Sequence, residues 1–241
     1  MKLLQNVWVV VPTYNERENL PPLVAAIAAS GASIHRILIV DDSSPDGTAA
    51  VARDLPNVQV LERSHPRGYG HSMRAGIQLA LGAGAGAVIT MDADLSHDPS
   101  IFPQLLAALS HADVAVGSRY CENNPLIENW SRHRLVISRL ATALVRLSTG
   151  VTLGDPTSGF RCWNAATLRR MDLDAVATGG FAFLYEILLH ARRAGARFRE
   201  VPNVYRGRIH GESKLNTRII VEAVRLLPRL FLLRIADRFR R

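Results

Sequence analysis

Residues 36–48 read RILIVDDSSPDGT, a β-branched apolar run that stops at two carboxylates and then at a Ser-Pro-Asp-Gly turn leading into an amphipathic segment. The run has the composition of a strand, and Asp and Ser just ahead of a helix are its ordinary caps. The same unit recurs outward in both directions: Val7–Val11, Val58–Leu61, Ala87–Met91 and Val114–Val116 are short β-branched runs with amphipathic segments between them. Alternation of this kind builds βαβ units. The expected fold class is therefore α/β, with a mostly parallel central sheet flanked by helices.

Beyond residue 118 the alternation weakens. The pattern there predicts a helix over about 131–148, a tight loop at Gly150–Gly159, a helix near 182–194, a strand at 197–204 and a final helical stretch from about 215. No Pro/Gly/Ser linker marks a boundary, so the chain reads as one domain over 1–214 with a C-terminal extension over 215–241.

On parallel sheets, ligands bind outside the carboxyl ends of the strands. Pro12, Thr13, Tyr14 and Glu16 follow the first run, Asp41 and Asp42 the second, and Asp92-Ala93-Asp94 the fourth, so three acidic loops converge on one edge. Ser44 and Asp46 are equally readable as helix caps. Asp92 and Asp94 flank one small residue at a strand end, where both carboxylates can turn toward one divalent cation that bridges phosphate oxygens. No G-x-x-x-x-G-K-[ST] is present, and Gly68 and Gly70 do not complete G-x-G-x-x-G, which disfavours a P-loop NTPase or a dinucleotide-dependent dehydrogenase.

The segments VVVPTYNERENL, IVDDSSPDGT and MDADLSHDP resemble successive motifs of glycosyltransferase family 2, whose fold is the Rossmann-like, nucleotide-sugar-binding A type. VGSRY, NWSRHR, DPTSGFR and GESKL are similar, more narrowly, to motifs of its dolichyl- and polyprenyl-phosphate mannosyltransferases. The resemblance implies that Pro12, Thr13, Tyr14, Glu16, Asp41 and Asp42 hold the nucleoside, and that Asp92 and Asp94 hold Mg²⁺ or Mn²⁺ beneath the diphosphate. It implies further that Arg119 and Arg134 hold the lipid phosphate, and that Arg208, Ser213 and Lys214 close on the donor phosphates. Two departures stand out: Ser96 replaces a glutamine of some relatives, and CENNPLIENW lacks the paired glycines common before the tryptophan.

Elementary chemistry supports such a clamp, because guanidinium groups bind phosphate bidentately and lysine supplies a compact charge. Asp155 and Glu186 are candidate general bases. A phosphate monoester, with a second pKa of about 6, is already ionised near neutral pH, so an orienting role suits Asp155 better and Glu186 reads as structural. The expected reaction moves mannose from GDP-mannose to polyprenyl or dolichyl phosphate with inversion. Rival readings are transfer from a UDP-sugar such as UDP-glucose, a family 2 enzyme acting on a soluble glycan, and a non-catalytic binding protein.

The formal charge of +8 is uneven: residues 1–100 carry 7 basic and 10 acidic side chains, and residues 101–241 carry 22 and 11. The later part therefore seeks a polyanionic partner. Basic stripes without interleaved aromatics argue against nucleic acid. Arg132, Arg139 and Arg146 read as a solvated helix face. Residues 217–241 hold seven arginines and two acids among apolar residues, with a kink expected at Pro228. That is too short and too charged to span a bilayer but suits its surface. Cys121 and Cys162 suggest neither a zinc site nor a disulfide framework. With an N-terminus unlike a signal peptide, the expectation is a cytoplasmic protein, peripheral at a membrane face, with room for a small membrane-anchoring protein as partner.

Overall fold

The computed structural model describes residues 5–121, 127, 132–205 and 217–236, without the side chains of Arg132, Arg134 and residues 217–223. In chain order the elements are β1 (Val7–Thr13), α1 (Leu20–Ala28), β2 (Arg36–Asp41), α2 (Thr48–Arg53), β3 (Val58–Glu62), α3 (Tyr69–Gly82) and β4 (Ala87–Thr90). A 3-10 turn (Pro99–Ile101) then runs into α4 (Phe102–Ala108), followed by β5 (Val114–Ser118), α5 (Arg132–Thr149), β6 (Arg161–Asn164), α6 (Ala165–Arg170), α7 (Phe183–Arg193), β7 (Phe198–Pro202) and α8 (Thr217–Ala236). Among the described residues the strands form one sheet in the order β3-β2-β1-β4-β6-β5-β7.

All neighbouring strands pair in parallel except β6, which runs antiparallel to both β4 and β5. The strand alternation sorts side chains by face. Val7, Val9, Val11, Ile37 and Ile39 pack beneath α1, α4 and the 3-10 turn, while Trp8, Val10, Leu38 and Val40 pack against α3 and α7. This is period-2 geometry in a sheet covered on both sides. Gly76 lets α3 lie close to the sheet, because a Cβ there would come within 2.5 Å of Val10 and 2.9 Å of Val40. Pro21 and Pro22 fall in the first turn of α1, where the missing N–H groups cost no intrahelical bond.

The expected strands and the helices at 131–148 and 182–194 are present with shifted ends. β6 and α6 were not expected: Arg161-Cys162-Trp163-Asn164 is short, and its buried arginine breaks the apolar pattern of a central strand. The C-terminal helical stretch is present as α8, which includes Pro228. Leu226 and Leu230 bury against Ala182 and Leu189, with Leu233 and Tyr185 beside them, so the segment packs on α7. Arg139 and Arg146 are exposed, as a solvated face requires.

The chain leaves β1 toward β2 and β3 on one side, while β4 lies on the other. The loops after β1 and β4 therefore diverge and open a crevice at the switch point of the sheet.

Candidate active site

Each of the three acidic loops contains one non-glycine residue in the left-handed region: Asn15 (φ 56°), Ser43 (φ 54°) and Leu95 (φ 61°). Such conformations cost about 1–3 kcal/mol each and persist only where the surroundings fix them. Here the surroundings are hydrogen bonds. Asn15 N donates to Ser44 Oγ at 3.0 Å, and Ser43 Oγ donates to the Arg63 carbonyl at 2.8 Å. The Ser96 backbone N–H and hydroxyl both donate to Asp94 Oδ1, at 3.1 and 2.6 Å.

A cavity of about 360 Å³ lies between these loops. Pro12, Thr13, Tyr14, Glu16, Asp42, Asp92 and Asp94 line it, together with Arg67, Gly68, Tyr69, Ser72 and Phe181. Asp41 sits behind the wall, fully buried. It accepts from Thr13 Oγ1 at 2.9 Å, from Ser44 Oγ at 2.6 Å and from Ser44 N at 2.8 Å, so it braces the loops after β1 and β2. Asp42 is held by Arg63 Nη1 at 2.7 Å, Ser72 Oγ at 2.6 Å and Gly68 N at 2.8 Å. Arg67 lies over the Tyr14 ring with its guanidinium carbon 5.1 Å from the centroid, a cation–π contact at the cavity rim. Glu16 Oε2 accepts from Asn19 Nδ2 at 2.6 Å. Asp46 accepts from the Thr48 N–H and hydroxyl and from Arg17 N, so both Ser44 and Asp46 serve the loop itself.

A second cavity of about 150 Å³ shares Asp92, Asp94 and Phe181 with the first and is lined further by His97, Arg119, Thr157 and Tyr205. Arg119 donates through Nε to Asp155 Oδ2 at 2.6 Å, and through Nη2 to Asp155 Oδ1 and to Thr157 Oγ1, both at 2.7 Å. Its guanidinium carbon lies 5.7 Å from the ring centroids of Tyr120 and Tyr205. Burial alone would raise the Asp155 carboxyl, but the adjoining guanidinium outweighs it and holds the group below the usual carboxylate range. The same pairing raises Arg119 against the pull of its own burial. An acid so held is a poor proton acceptor and a firm anchor. Glu186 is also buried, and its Oε2 accepts from the Thr178 N–H at 2.8 Å and hydroxyl at 2.5 Å, tying the loop that carries Phe181 to α7.

His97 stacks on Phe160 at 4.9 Å, and its Nδ1 accepts from Asp92 N at 3.1 Å, which places any single ring proton on Nε2. Tyr69 stacks on Phe181 at 4.6 Å. Its hydroxyl is pushed well above the usual phenol range, chiefly by burial and then by the charge of Asp92, so it stays protonated beside that carboxylate. Arg161 of β6, fully buried, donates through Nη2 to the carbonyls of Pro156 and Leu184 at 2.9 and 3.0 Å.

Of the residues singled out in the sequence, Pro12, Thr13, Tyr14, Glu16, Asp42, Asp92, Asp94 and Arg119 meet around these two cavities, and Asp41 stands behind them. Arg134 lies on α5 with its side chain outside the described residues, as do Arg208, Ser213 and Lys214 altogether. Sequence reasoning missed Arg67, Tyr69, Ser72 and Phe181. The pair Gly68 and Gly70 around Tyr69 was a usable signal: Gly70 N donates to the Gly179 carbonyl at 2.7 Å, locking the start of α3 to the Phe181 loop.

Residues 8–176 match the family described as Glycosyl transferase family 2. The chain is 38% identical over 219 residues to an undecaprenyl-phosphate mannosyltransferase of Micrococcus luteus, covering 89% of each chain. It is 38% identical over 226 residues to a polyprenol monophosphomannose synthase of Mycolicibacterium smegmatis, covering 91% of this chain and 84% of that one. In structure it is similar to glucosyl-3-phosphoglycerate synthase of Mycobacterium tuberculosis, crystallised with Mn²⁺, UDP and glucosyl-3-phosphoglycerate. The TM-score is 0.67 at 16% identity, over 95% of this chain and 79% of that one.

Proposed function

We propose, from the premise that the chain belongs to glycosyltransferase family 2, that it transfers mannose from GDP-mannose to a polyprenyl or dolichyl phosphate, giving a lipid-linked mannosyl phosphate. The mannose and the polyprenyl phosphate follow the activities for which the two relatives are named. The observation that carries the site assignment is the shared wall: a larger cavity between the loops after β1 and β2, and a smaller one bearing Arg119, meet at Asp92 and Asp94. That arrangement would suit a donor and an acceptor on either side of one pair of carboxylates.

The chain's own residues divide the work. Asp42, fixed by Arg63 and Ser72, and the Tyr14–Arg67 rim suit the nucleoside end of the donor. Arg119, held by Asp155 and Thr157, suits the acceptor phosphate, whose ionised oxygen attacks the anomeric carbon while the bond from that carbon to the diphosphate breaks. Attack from the side opposite the leaving group inverts the configuration. Because that oxygen is already anionic, Asp155 needs only to orient Arg119.

The donor set fits a divalent cation such as Mg²⁺ or Mn²⁺. Asp92 and Asp94 are hard oxygen ligands on one turn, and Ser96 fixes the second carboxylate. Among the described residues no cluster of three His, Cys, Asp or Glu side chains forms, which suits a cation completed by diphosphate oxygens and water. When bound, it would neutralise charge on the leaving diphosphate.

Among the described residues no helix is long and apolar enough to cross a membrane; the proposed location is peripheral, at the cytoplasmic face. The test is incubation of purified protein with a panel of labelled nucleotide sugars, polyprenyl phosphate and Mg²⁺ or Mn²⁺. The expected product is lipid-linked mannose formed from GDP-mannose. Preference for UDP-glucose, or donor turnover indifferent to polyprenyl phosphate, would overturn the assignment.

A further inference from the structure

His97 follows the Asp92-Ala93-Asp94 turn and is 6% exposed. Its ring is fixed on one face and on one edge. The face stacks on Phe160, with the centroids 4.9 Å apart and the planes 17° from parallel. Phe160 is itself wedged in place, since even a Cβ on Gly117 would lie 2.7 Å from its Cδ1. The edge is fixed by the Asp92 N–H, which donates to Nδ1 at 3.1 Å, so the ring hydrogen belongs to Nε2. Among the described residues that N–H donates to no other group. The two nitrogens of an imidazole face nearly opposite ways, so with Nδ1 turned back to the Asp92 backbone, Nε2 is turned away from it. His97 lines the smaller cavity, with Arg119 and Thr157, and does not line the larger one.

We propose that His97 is a binding residue for the acceptor phosphate, donating its Nε2 hydrogen to a phosphate oxygen beside Arg119. A histidine that served only the core would satisfy both nitrogens, because a buried N–H without an acceptor is destabilising. Here one nitrogen holds the loop and the other faces a cavity, so the acceptor for it arrives with the ligand. The neighbours fix the chemistry of that ligand. Arg119 offers a guanidinium suited to an oxyanion, and Asp92 and Asp94 share the same wall, so an incoming anion needs donors that offset two carboxylates. A hydrogen bond to a charged oxygen is stronger than one to a neutral acceptor. Because the ring is held before the ligand arrives, little further ordering accompanies the bond. The two nitrogens thus divide two tasks: Nδ1 steadies the turn that bears Asp92, and Nε2 addresses the acceptor. That the oxyanion is a prenyl phosphate rests on the proposed function; the direction of the Nε2 donor does not.

Amide side chains separate the two nitrogens, because that of asparagine reaches roughly as far as Nδ1 and that of glutamine roughly as far as Nε2. His97→Asn therefore keeps an acceptor for the Asp92 N–H and loses the donor in the cavity, whereas His97→Gln keeps that donor. In the full chain with Mn²⁺ and GDP-mannose, the KM for a short-chain prenyl phosphate is measured, and the binding of that phosphate and of GDP is followed by calorimetry. One hydrogen bond to a charged group corresponds to about ten- to a hundredfold in affinity. His97→Asn should weaken prenyl phosphate binding and raise its KM by that factor, with GDP affinity within about twofold, and His97→Gln should recover most of the loss. Prenyl phosphate binding within about twofold of wild type in His97→Asn overturns the proposal. So does a parallel loss of GDP binding in both variants, which confines His97 to supporting the Asp92 turn. Should His97→Asn melt early, the nitrogen-15 labelled wild type decides: its His97 Nε2–H resonance should shift on adding the prenyl phosphate, and no shift at saturation overturns the proposal. The expected pattern in a protein that transfers glucose rather than mannose would support this role of His97 and overturn the proposed function.

Discussion

Replacing Asp155 by asparagine leaves shape and volume nearly unchanged and removes one charge from a pair whose carboxylate is wholly buried and whose arginine side chain is 14% exposed. Truncating one partner of a buried pair costs about 3–5 kcal/mol, because the other charge stays buried without compensation. The amide oxygen can still accept one bond from Arg119, so about 3 kcal/mol is expected. At about 2–4 °C per kcal/mol for a chain of this size, the melting temperature should fall by about 6–12 °C. The sign of the pH dependence follows from Asp155 being held below the usual carboxylate range in the folded protein. Its contribution is complete above the unfolded value of about 3.9 and is lost as pH falls through the lower folded value. Differential scanning calorimetry from neutral pH downward should thus show a full gap between wild type and Asp155→Asn near pH 7 that narrows below about pH 4. Adding Arg119→Met should recover part of the loss, since the orphaned cation is then gone. A variant melting within about 2 °C of wild type at neutral pH, or a gap that widens in acid, would refute this account of the pair.

Asp92→Ala and Asp94→Ala should each cut turnover by about a hundredfold or more while melting normally; near-normal turnover in saturating donor and Mn²⁺ would exclude them as ligands. Arg119→Lys should raise the KM for the lipid phosphate and leave donor affinity by calorimetry within about twofold, because an ammonium cannot reproduce the bidentate fork. Arg134→Ala should act in the same direction, and a loss confined to donor binding would reject its acceptor role. Cys162 is fully buried and burial pushes its thiol up, so native protein should react with a thiol reagent only at the partly exposed Cys121, and denatured protein at both.

The parallel half of the sheet was readable because strands buried on both faces must be β-branched and apolar throughout, as Val7–Val11 and Ile37–Val40 are. The acidic loops were readable because each follows an apolar strand at the same edge of the sheet, although Asp41 and Asp46 brace the loops themselves. β6 was not, since Arg161 is a buried charge held through Nη2 by the Pro156 and Leu184 carbonyls, an arrangement that only the tertiary structure displays. Phe181 was hidden for a related reason: its place on the wall between the cavities depends on Gly179 meeting Gly70 across about a hundred residues of chain. The apolar face of α5 was masked by its arginines, which made the exposed side of the helix read as polar although Val136, Ile137, Leu140 and Leu147 are exposed there too.

The reversed direction of β6 has a consequence for how such a protein changes over evolutionary time. A strand running against its neighbours begins where they end, so the segment entering it, residues 154–160, arrives at the same rim as the loops leaving β4 and β5. Both ends of that segment are pinned: Gly154 N and Asp155 N donate to Glu200, and Gly117 N donates to the Phe160 carbonyl. Such a segment behaves as a cassette with fixed ends. Between those ends Thr157 accepts from Arg119 at the smaller cavity, so substitutions there reshape that cavity alone, whereas a Cβ on Gly159 would come within 2.6 Å of the Tyr69 hydroxyl and press on the larger one as well.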